Sequence, residues 1–299
     1  MKLKSIGIIG IGKLGESLFD MLSHLRKLSF VLIRNKKRIQ EIKEKYFRSS
    51  NETTRIIQNI NEILDSFDCI FITVNDGSIK SVVEDLIKTK LDFRNKFIIH
   101  CSGIQDPNIL SPLADRGAIT VAAHPYQTFF QPSKKNFQGI YWGIESSFDI
   151  QIIEPFLNLL KSFKSNYHFL EFSSKDKKTL YHLSAVLASN FTSLILFKAN
   201  EILNKSGIDN IDILKPIIIT TIKNFFESED SKFPLTGPAI RGDITTIKEH
   251  LKAIESNKQF FDFYVNITKH IALTAHQHKI IKKKDFNQIL TLFNEESVK

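Results

Sequence analysis

Cysteine is scarce in this chain, since only Cys69 and Cys101 occur among 299 residues. Small secreted domains that are held together by disulfides carry many more cysteines. Both residues lie in or beside segments that we predict below to be buried parallel strands. We therefore expect no disulfide framework and a cytoplasmic location.

Long apolar runs are also missing from the sequence, and no uninterrupted run reaches the about 20 residues with which a helix crosses a bilayer. We therefore expect no membrane partner. The first residues lead directly into an apolar, strand-like run, so we also expect no signal peptide. The hydrophobic share of the sequence, 42%, is ordinary for a globular protein.

Acidic residues are fewer than basic ones, 32 against 41, which gives a formal net charge of +9. The basic residues are scattered along predicted helices, and no nucleic-acid-binding motif accompanies them. We therefore expect no nucleic-acid partner. The positive charge is interpreted as a solvated surface that suits an anionic cofactor and substrate.

Metal-ligating residues are not grouped at a useful spacing. His270, His276 and His278 lie near the C-terminus. Their spacing does not place three ligands on one face of a helix, so we predict no metal site.

Three glycines near the N-terminus form the most informative pattern, Gly10-Ile11-Gly12-Lys13-Leu14-Gly15. They follow the apolar run Ile6–Ile9 and open a segment whose leucines recur at helical spacing. In such a unit the first glycine allows a tight turn, the second lets the backbone approach a pyrophosphate, and the third lets helix and strand pack closely. The helix N-terminus offers free N–H groups to the phosphates. We predict a dinucleotide site that Gly10, Gly12, Lys13, Leu14 and Gly15 contact; the alternative is a glycine-rich turn without a ligand.

The end of the second predicted strand, Phe30–Ile33, indicates which dinucleotide binds. Enzymes that use NAD usually place an acidic residue there, about 20 residues past the glycines, to bind the ribose 2′-hydroxyl. This chain has Arg34, followed by Asn35-Lys36-Lys37-Arg38. Arginine can bind a 2′-phosphate through two parallel hydrogen bonds. We therefore predict NADP(H) as the cofactor, with Arg34 on the 2′-phosphate; the alternative is a solvated basic helix start.

Short apolar runs alternate with helical periodicity through the first half of the chain. The predicted strands are 6–9, 30–33, 53–57, 69–74, 97–99, 118–123, 141–145 and 168–172, with helices over 38–47, 60–66, 78–91 and 150–163. This alternation is typical of an α/β fold with a doubly wound, Rossmann-like parallel sheet. From Ser173 the sequence shows helical periodicity over 174–206, 210–228 and 243–280. We predict a dinucleotide-binding domain over residues 1–172 and an all-helical substrate or dimerisation domain over residues 173–299.

Polar residues end or follow several predicted strands, namely Asn75, His100, Ser102 and His124. Ligands in doubly wound sheets bind outside the carboxyl ends of the strands, so we expect these side chains to lie in one region. Asn75 and Ser102 are predicted to contact the cofactor. For each residue alone, a turn residue that satisfies local backbone groups is an equal alternative.

The chain resembles NADP-dependent reductases that join a Rossmann domain to a helical domain like that of 6-phosphogluconate dehydrogenase. That superfamily includes ketopantoate reductase, pyrroline-5-carboxylate reductase and β-hydroxyacid dehydrogenases. More closely, the chain resembles a bacterial group of Rossmann proteins that includes alternative ketopantoate reductases. Four stretches carry the resemblance: His100-Cys101-Ser102-Gly103, His124-Pro125-Tyr126-Gln127-Thr128-Phe129, the segment from Tyr181 to Phe191, and Thr236-Gly237-Pro238-Ala239-Ile240-Arg241-Gly242-Asp243.

The resemblance implies catalytic residues on an early helix of the second domain, where ketopantoate reductases carry a lysine and an asparagine. The asparagine matches Asn190, whereas the lysine position falls at or near His182 and so departs from the family pattern. Histidine can donate a proton near neutral pH, so we expect His182 to be the acid and Lys178, one turn earlier, to be the alternative. Eight residues turn a regular helix to within about a quarter turn of its starting direction, so His182 and Asn190 can line one cleft. The structural alternatives are that His182 is only a half-buried helix residue and that Asn190 ties two helices together.

The stretch from Thr236 to Asp243 breaks the chain at Gly237-Pro238 and then begins a helix. We expect this helix start to hold a substrate carboxylate, with Arg241 as a bidentate partner. The alternative is an ordinary loop–helix junction in which Arg241 pairs with Asp243.

The implied function is NADPH-dependent reduction of a small 2-oxo acid, with ketopantoate as the leading substrate. His182 would protonate the developing alkoxide, Asn190 would orient the carbonyl, and Arg241 would hold the carboxylate. The alternatives are an imine reductase like pyrroline-5-carboxylate reductase, a deazaflavin-dependent reductase, and a non-catalytic NADP-binding protein. Similar reductases often dimerise through the helical domain, so a homodimer is a further candidate feature. The apolar run Ile217-Ile218-Ile219 is its candidate interface, and burial within its own domain is the alternative.

Overall fold

An eight-stranded sheet organises the first part of the chain, in a computed structural model that describes residues 2–47, 54–228 and 234–296. Its strands are β1 (Ile6–Ile9), β2 (Leu28–Leu32), β3 (Arg55–Ile57), β4 (Cys69–Ile72), β5 (Phe97–His100), β6 (Ile119–Pro125), β7 (Tyr141–Glu145) and β8 (Asn166–Phe169). They are ordered β3-β2-β1-β4-β5-β6-β7-β8, and all neighbours are parallel except β6 and β7. The order reverses between β1 and β4, which is where doubly wound sheets open a crevice at the carboxyl ends of their strands.

Helices cover both faces of the sheet because the central strands are apolar on both sides. Along β4, Cys69 and Phe71 belong to one core cluster, whereas Ile70 and Ile72 belong to another. The first cluster includes residues of α1 (Lys13–His24), α2 (Lys36–Tyr46) and α5 (Ile150–Ser162), and the second includes residues of α3 (Ile79–Ile87) and α4 (Ser111–Ala114). This arrangement confirms the predicted α/β fold with a doubly wound, mostly parallel sheet.

One long helix follows the sheet. Helix α6 (Lys175–Val186) continues through a π turn at Leu187–Phe191 into α7 (Thr192–Lys205). It begins at Ser174, whose side chain accepts a hydrogen bond from the backbone N–H of Lys177. A π turn inside an α-helix is rare and is frequently found at functional sites.

The chain divides into two compact units, Met1–Leu196 and Phe197–Lys299. The predicted domain boundary at Phe172 lies just beyond β8, but the first unit extends further because α6 stays attached to the sheet. Lys178 on α6 binds Glu145 on β7, and Tyr181 on α6 contacts His124 on β6. Helical periodicity predicts a helix without indicating what the helix packs against; the division into domains at Phe172 stays a prediction.

The second unit is built from helices wherever the structure describes it. These are α8 (Leu214–Glu227), α9 (Pro238–Arg241), α10 (Ile244–Ile254), α11 (Lys258–Gln277) and α12 (Lys283–Glu296). Helices α9 to α12 share a core that includes Ile247, Leu251 and Phe293. The helical segment predicted over 243–280 is in fact two helices, because Asn257 accepts a hydrogen bond from the N–H of Phe260 and starts α11. Helix α12 lies beyond the predicted helical segments.

Some local predictions in the first unit were wrong. The helix predicted over 60–66 is a single 3-10 turn, Ile60–Glu62. The side chain of Asn59 accepts a hydrogen bond from a backbone N–H of this turn, and the side chain of Glu62 accepts one from the backbone N–H of Asn59. The chain then becomes extended at Ile63. The last strand lies at Asn166–Phe169 rather than at 168–172. In the strand predicted over 53–57, β3 covers Arg55–Ile57, and Thr53 lies outside the described residues.

The helix from Lys175 to Lys205 is long and apolar enough to cross a membrane by length and composition alone, with a hydropathy of 1.4. A single helix of this kind is weak evidence for a membrane span. Lys178, in its first turn, is nearly buried in an ion pair with Glu145, which ties this end of the helix to the sheet. The expected lack of a membrane partner stays a prediction.

Candidate functional site

A cavity of about 530 Å³ opens at the carboxyl ends of β1, β2 and β4, and we refer to it as the glycine-turn cavity. Gly10 and Gly12 follow β1, Arg34 follows β2 and Asn75 follows β4. These four residues were predicted to contact a cofactor, and the structure brings them together around one space. The position matches the crevice at which a doubly wound sheet binds its ligand.

Each glycine of the turn has a different steric role. Gly10 has a φ of +100°, and a Cβ there would lie 2.9 Å from the backbone nitrogen of Val74. A Cβ on Gly15 would lie 2.3 Å from the carbonyl oxygen of Gly10, so glycine lets α1 pack against the turn. A Cβ on Gly12 would meet no described atom within 4 Å. The missing side chain of Gly12 therefore leaves room for a ligand rather than for another part of the protein.

The start of α1 is open to an anion. Gly12 occupies the N-cap position, and no side chain caps the first turn. The N–H groups of Lys13 and Leu14 therefore begin the helix beside the cavity without a capping side chain. Free N–H groups and the positive end of the helix dipole attract phosphate oxygens. The turn thus fits the pyrophosphate of a dinucleotide.

Two arginines lie on the β2 side of the glycine-turn cavity. Arg34 pairs with Asp85 at 3.0 Å, and its side chain is 61% exposed. An exposed pair of this kind contributes only about 0–1 kcal/mol, so a phosphate can replace Asp85 as the partner. Arg38 donates to the carbonyl of Ile11 at 3.3 Å. The basic stretch after β2 therefore supplies two guanidinium groups to this wall.

A nearly buried carboxylate, Glu16, holds Arg38 in place. Arg38 donates to Glu16, and Lys45 donates to its other oxygen at 2.7 Å. Burial acts to raise the pKa of Glu16, but hydrogen bonds from Lys45 and Arg38 outweigh it and lower the pKa. The charge of Glu16, which would otherwise oppose a phosphate at the start of α1, is thus compensated by two cations.

A second cavity, of about 600 Å³, lies between the end of β6 and the long helix, and we refer to it as the histidine cavity. His124 and Tyr126 line it from the β6 side, and His182 and Asn190 line it from the helix. The structure therefore brings together the two residues that were predicted to share a cleft. Asn190 lies within the π turn Leu187–Phe191, which turns less per residue than an α-helix, so Asn190 lies closer to the helix face of His182 than a regular helix would allow.

Two tyrosines connect β6 to α6 beside this cavity. The hydroxyl of Tyr181 lies 3.2 Å from Nδ1 of His124. The hydroxyl of Tyr126 lies 2.5 Å from Oγ of Ser184 and donates to the carbonyl of Tyr181 at 3.3 Å. Sequence reasoning missed both tyrosines as site residues. Their partners lie 55 to 58 residues away along the chain, so no local pattern reveals the contacts.

His124 is neutral in this environment. Burial lowers the pKa of its imidazole to about 4, with the nearby His182 and Lys178 acting in the same direction and Asp76 opposing them. A neutral imidazole keeps one N–H group and one lone pair. His124 can therefore donate one hydrogen bond and accept another at neutral pH.

Gly103 packs closely against both His124 and His182. A Cβ at this position would lie 2.8 Å from Cε1 and Nε2 of His124 and 2.9 Å from Cδ2 of His182. Any other residue would thus cover the edges of the two imidazole rings. The sequence analysis included Gly103 in a family-like stretch but gave it no role.

Lys178, the alternative acid, lies outside the lining of the histidine cavity. Its ammonium donates to Oε1 of Glu145 and to the carbonyl of Gln105, both at 2.5 Å. The side chain is 7% exposed and that of Glu145 is 16% exposed. Lys178 therefore joins three segments, α6, the end of β7 and the loop after β5.

Ser102 and His100 have enclosed positions next to β5. Oγ of Ser102 accepts hydrogen bonds from the N–H groups of Ile104 and Gln105, and Ser102 does not line the glycine-turn cavity. His100 is fully buried, and its Nδ1 accepts from the N–H of Ser102. Burial lowers the pKa of His100 to about 3, so this ring is neutral too. The cofactor contact of Ser102 stays a prediction.

Arg241 belongs to the second unit, at the end of α9. Its guanidinium lies 4.0 Å from Asp243, and the side chain is 64% exposed. The carboxylate of Asp243 accepts from the N–H of Thr246 and so caps α10 itself. The predicted helix start is therefore present with its cap occupied, and Arg241 remains accessible to a carboxylate.

The histidine cavity is lined by polar side chains other than the strongly acidic and basic ones. Among the described residues that form it there is no lysine, arginine, aspartate or glutamate. Hydroxyl and amide groups supply the remaining polarity, from Tyr126, Gln127, Thr128, Ser189, Asn190, Thr192 and Ser193. No cluster of three or more side chains suited to a metal ion is present in the described parts of the chain.

Two family models match successive parts of the chain. Residues 2–125 match a Rossmann-like domain, and residues 140–271 match a domain of unknown function, DUF2520. No curated protein matches the sequence. Successive parts of the chain are thus similar to a Rossmann-like domain and to a DUF2520 domain.

Solved structures share this fold at low sequence identity. A proposed NADP oxidoreductase from Bacteroides fragilis is 20% identical, with a TM-score of 0.71 over 90% of this chain and 98% of that one. A 1-pyrroline-5-carboxylate reductase from Streptococcus pyogenes is 18% identical, with a TM-score of 0.56 over 95% and 97%. The pyrroline carboxylate reductase of Plasmodium falciparum, solved with NADP bound, is 14% identical, with a TM-score of 0.53 over 93% and 99%. At these identities the likeness establishes the fold alone.

Proposed function

We propose that this protein is an NADPH-dependent oxidoreductase that reduces a C=O or C=N bond of a small molecule. The observation that carries the proposal is the glycine-turn cavity, where Gly12 leaves room for a ligand and α1 begins without a capping side chain. The shared fold supports it, since the similar structures include a pyrroline carboxylate reductase with NADP bound. Bound NADPH would supply a hydride to the carbon of the reduced bond.

The residues around the glycine-turn cavity fit the parts of NADP(H). The turn from Gly10 to Gly15 and the start of α1 receive the pyrophosphate. Arg34 and Arg38 receive the 2′-phosphate, because guanidinium groups bind phosphate in a bidentate manner. Asn75, after β4, lies where the rest of the dinucleotide passes toward the carboxyl ends of the central strands.

The histidine cavity supplies the groups that the reduced bond needs. For a C=O bond, His182 donates the proton that the developing alkoxide takes up; for a C=N bond, it protonates the nitrogen, so that hydride adds to an iminium carbon and gives the neutral amine. Asn190, on the same wall, orients the substrate through its amide group. For a small 2-oxo acid such as ketopantoate, the first candidate substrate, Arg241 is the carboxylate partner.

A cyclic imine is the second candidate substrate, and one observation favours it. The described lining of the histidine cavity has no lysine or arginine, so a substrate carboxylate has no permanent counter-charge there. A cyclic imine without a carboxylate needs none, whereas 1-pyrroline-5-carboxylate lacks a counter-charge there as a 2-oxo acid does. Reduction of an imine also depends less on a strong acid than reduction of a ketone, so His182→Ala should slow it less.

The test is NADPH oxidation by the purified protein, followed by absorbance with ketopantoate and with 1-pyrroline-5-carboxylate, alongside Arg34→Glu. We expect Arg34→Glu to weaken NADPH binding at least tenfold and NADH binding much less. Hydrogen bonds to charged groups contribute about 1.5–3 kcal/mol, and 1.4 kcal/mol is tenfold in affinity. Arg94→Glu is the matched control, because Arg94 lies in the turn before β5, at the opposite end of the sheet.

Each outcome separates the alternatives. Turnover of one substrate that falls in Arg34→Glu but not in Arg94→Glu supports the reductase and its cofactor. Tight NADPH binding without turnover of any oxo acid or imine would instead support a non-catalytic NADP-binding protein. Binding of a deazaflavin in preference to NADPH would change the assigned cofactor to a deazaflavin. Binding of neither would overturn the proposal.

We further propose that two copies of the chain associate, in the cytoplasm, through exposed apolar helix faces. The described part of α8 has no buried residue, and Ile217 and Ile219 are more than half exposed. Exposed apolar side chains also recur along the first unit's part of the long helix, at Leu180, Leu183, Leu187, Phe191, Leu194 and Ile195. Contiguous exposed apolar surface of this kind marks an interaction site. A second copy presents the same surface and can cover it symmetrically.

A further inference from the structure

We propose that His124 acts on the substrate as a neutral hydrogen-bond donor through Nε2, in a tautomer that Tyr181 fixes. The inference rests on the proposed function and adds a residue to it. His182 provides the proton, whereas His124 polarises a C=O bond by a hydrogen bond to its oxygen, which has two lone pairs; an imine nitrogen has one lone pair and can take the proton alone. No bond of His124 forms or breaks.

The position of His124 suits this role. It lies near the carboxyl end of β6, and its ring lines the histidine cavity together with His182 and Asn190. The centroids of the two imidazole rings are 6.0 Å apart. One substrate atom can therefore meet both histidines, one as a donor of a hydrogen bond and one as a donor of a proton.

The contact with Tyr181 selects the tautomer. The phenol hydrogen needs an acceptor, and in the described part of the chain Nδ1 of His124, at 3.2 Å, is the one acceptor within reach of the hydroxyl. Burial raises the pKa of Tyr181, so the phenol keeps its proton. When Tyr181 donates to Nδ1, the single proton of a neutral imidazole must lie on Nε2. The opposite tautomer would leave the phenol hydrogen without a partner.

Gly103 leaves the donating edge uncovered. The space that a Cβ of Gly103 would fill is 2.8 Å from Nε2 and Cε1 of His124. Among the described residues, Nε2 has no hydrogen-bond partner of its own. Gly103 thus borders this edge of the ring without a side chain, and no hydrogen bond within the described residues uses the proton that Nε2 offers to a substrate.

The surroundings keep the ring neutral. Burial lowers the pKa of His124 to about 4, and His182 and Lys178 on α6 add to this effect; Asp76, in the turn after β4, acts in the opposite sense. Tyr126 and Tyr181 contact the ring without a charge. A fixed neutral donor in a partly enclosed site can stabilise developing negative charge without reorganising.

Nitrogen NMR of the imidazole rings tests the tautomer independently of activity. In protein labelled with ¹⁵N in histidine, we expect His124 to show the neutral pattern with the proton on Nε2, unchanged between about pH 5 and pH 9. In Tyr181→Phe the two neutral tautomers should become mixed. Tyr167→Phe on β8 is the matched control and should leave the pattern as in the wild type. A proton on Nδ1, or a charged ring at neutral pH, would overturn the inference.

Kinetics test the role on the substrate. His124→Asn removes the donor at the Nε2 position, and we expect kcat to fall about 100-fold, the size of effect seen when one such donor is lost. NADPH affinity should be unchanged. His124→Gln places an amide N–H near the Nε2 position and should recover part of kcat. Equal activity of His124→Asn and wild type would contradict the inference, as would a loss in Asn and Gln variants alike.

The two proposals fail in different ways. A wild-type protein that binds no NADPH and reduces no oxo acid or imine contradicts the proposed function, and His124 then has no substrate to polarise. An active enzyme whose His124 carries its proton on Nδ1, or whose kcat is insensitive to His124→Asn, contradicts this inference alone.

Discussion

Single residues decide which parts of the glycine-turn cavity serve folding and which serve binding. Gly15 and Gly10 are glycines because a side chain would collide with the protein, whereas at Gly12 there is nothing to collide with. The sequence motif does not separate these two reasons. The structure does, and the difference can be measured.

Gly12→Ala should bind NADPH at least tenfold more weakly while folding normally. Gly12 has a φ of −69°, which alanine adopts easily, and replacing glycine at such a position stabilises a protein by about 0.4–1 kcal/mol. Gly15→Ala should lose about 1–3 kcal/mol of the free energy of unfolding, because its Cβ would overlap the Gly10 carbonyl. Urea unfolding and NADPH fluorescence titration of both variants check this. Unaltered NADPH affinity in Gly12→Ala would remove the main support for the cofactor site.

Glu16 should make the stability of the protein depend on acidity. Its pKa is lowered in the folded state, so its contribution is full above the unfolded pKa of about 4.3 and is lost as the pH falls through the lower folded value. Glu16→Gln removes the buried carboxylate that both Arg38 and Lys45 bind and should reduce the free energy of unfolding by about 1–3 kcal/mol at neutral pH. The difference from the wild type should shrink below about pH 4. Urea unfolding across this pH range measures the difference, with Glu84→Gln on the exposed side of α3 as the control. A difference in the free energy of unfolding that stays constant with pH would contradict this account.

At the scale of elements, the sequence predicts what depends on local pattern and misses what depends on packing. The strand β4 is apolar throughout because both of its faces are covered, and its apolar run is visible in the sequence. The attachment of α6 to the sheet depends on Lys178 and Glu145, which are far apart along the chain. The π turn that contains Asn190 has no signature in the residues of 187–191, so the common cleft of His182 and Asn190 was predicted from the geometry of a regular helix.

The pair of Lys178 and Glu145 should act as the anchor of α6. Lys178→Met leaves the Glu145 carboxylate without its counter-charge, and breaking such an enclosed pair costs about 3–5 kcal/mol of the free energy of unfolding. The double variant Lys178→Met/Glu145→Leu removes both charges and should recover most of that loss. Thermal and urea unfolding measure this.

The same double variant decides the role of Lys178 in catalysis. If Lys178 is an anchor, the stable double variant keeps NADPH oxidation close to that of the wild type. If Lys178 is the acid, the double variant folds but turns over at least 100 times more slowly. The NADPH oxidation rate of His182→Ala, measured under the same conditions, tests whether His182 is the acid instead.

At the scale of the whole molecule, association of two copies should be visible in solution. Light scattering should give twice the chain mass of 34.4 kDa. Phe226→Asp on α8 replaces a side chain that is 79% exposed, so it should dissociate the dimer with little effect on the fold of one chain. Lys223→Asp on the same helix is the control. A monomeric wild-type protein would contradict the dimer, and partition into lipid vesicles would point to a membrane as the occupant of these faces.

The fold class was predictable because alternating strands and helices are encoded locally, as in β1, α1 and β2. The histidine cavity was predictable only in part. His182 and Asn190 could be aligned with a family pattern, but the meaning of His124 depends on Tyr181, 57 residues away along the chain. Contacts of that kind come from the register of α6 on the sheet, which no short stretch of sequence specifies.

The antiparallel pairing of β6 with β7 has a consequence for how this protein can be divided or recombined. The Rossmann-like match ends at residue 125 with β6, and the DUF2520 match begins at residue 140, next to β7, yet both strands belong to one sheet. A fragment that ended between them would present β6 as a bare edge and would lack Trp142 from its core. Exposed edges of this kind template aggregation. A piece that is exchanged between homologues without dividing the sheet must therefore extend at least through β8, across the seam between the two matches.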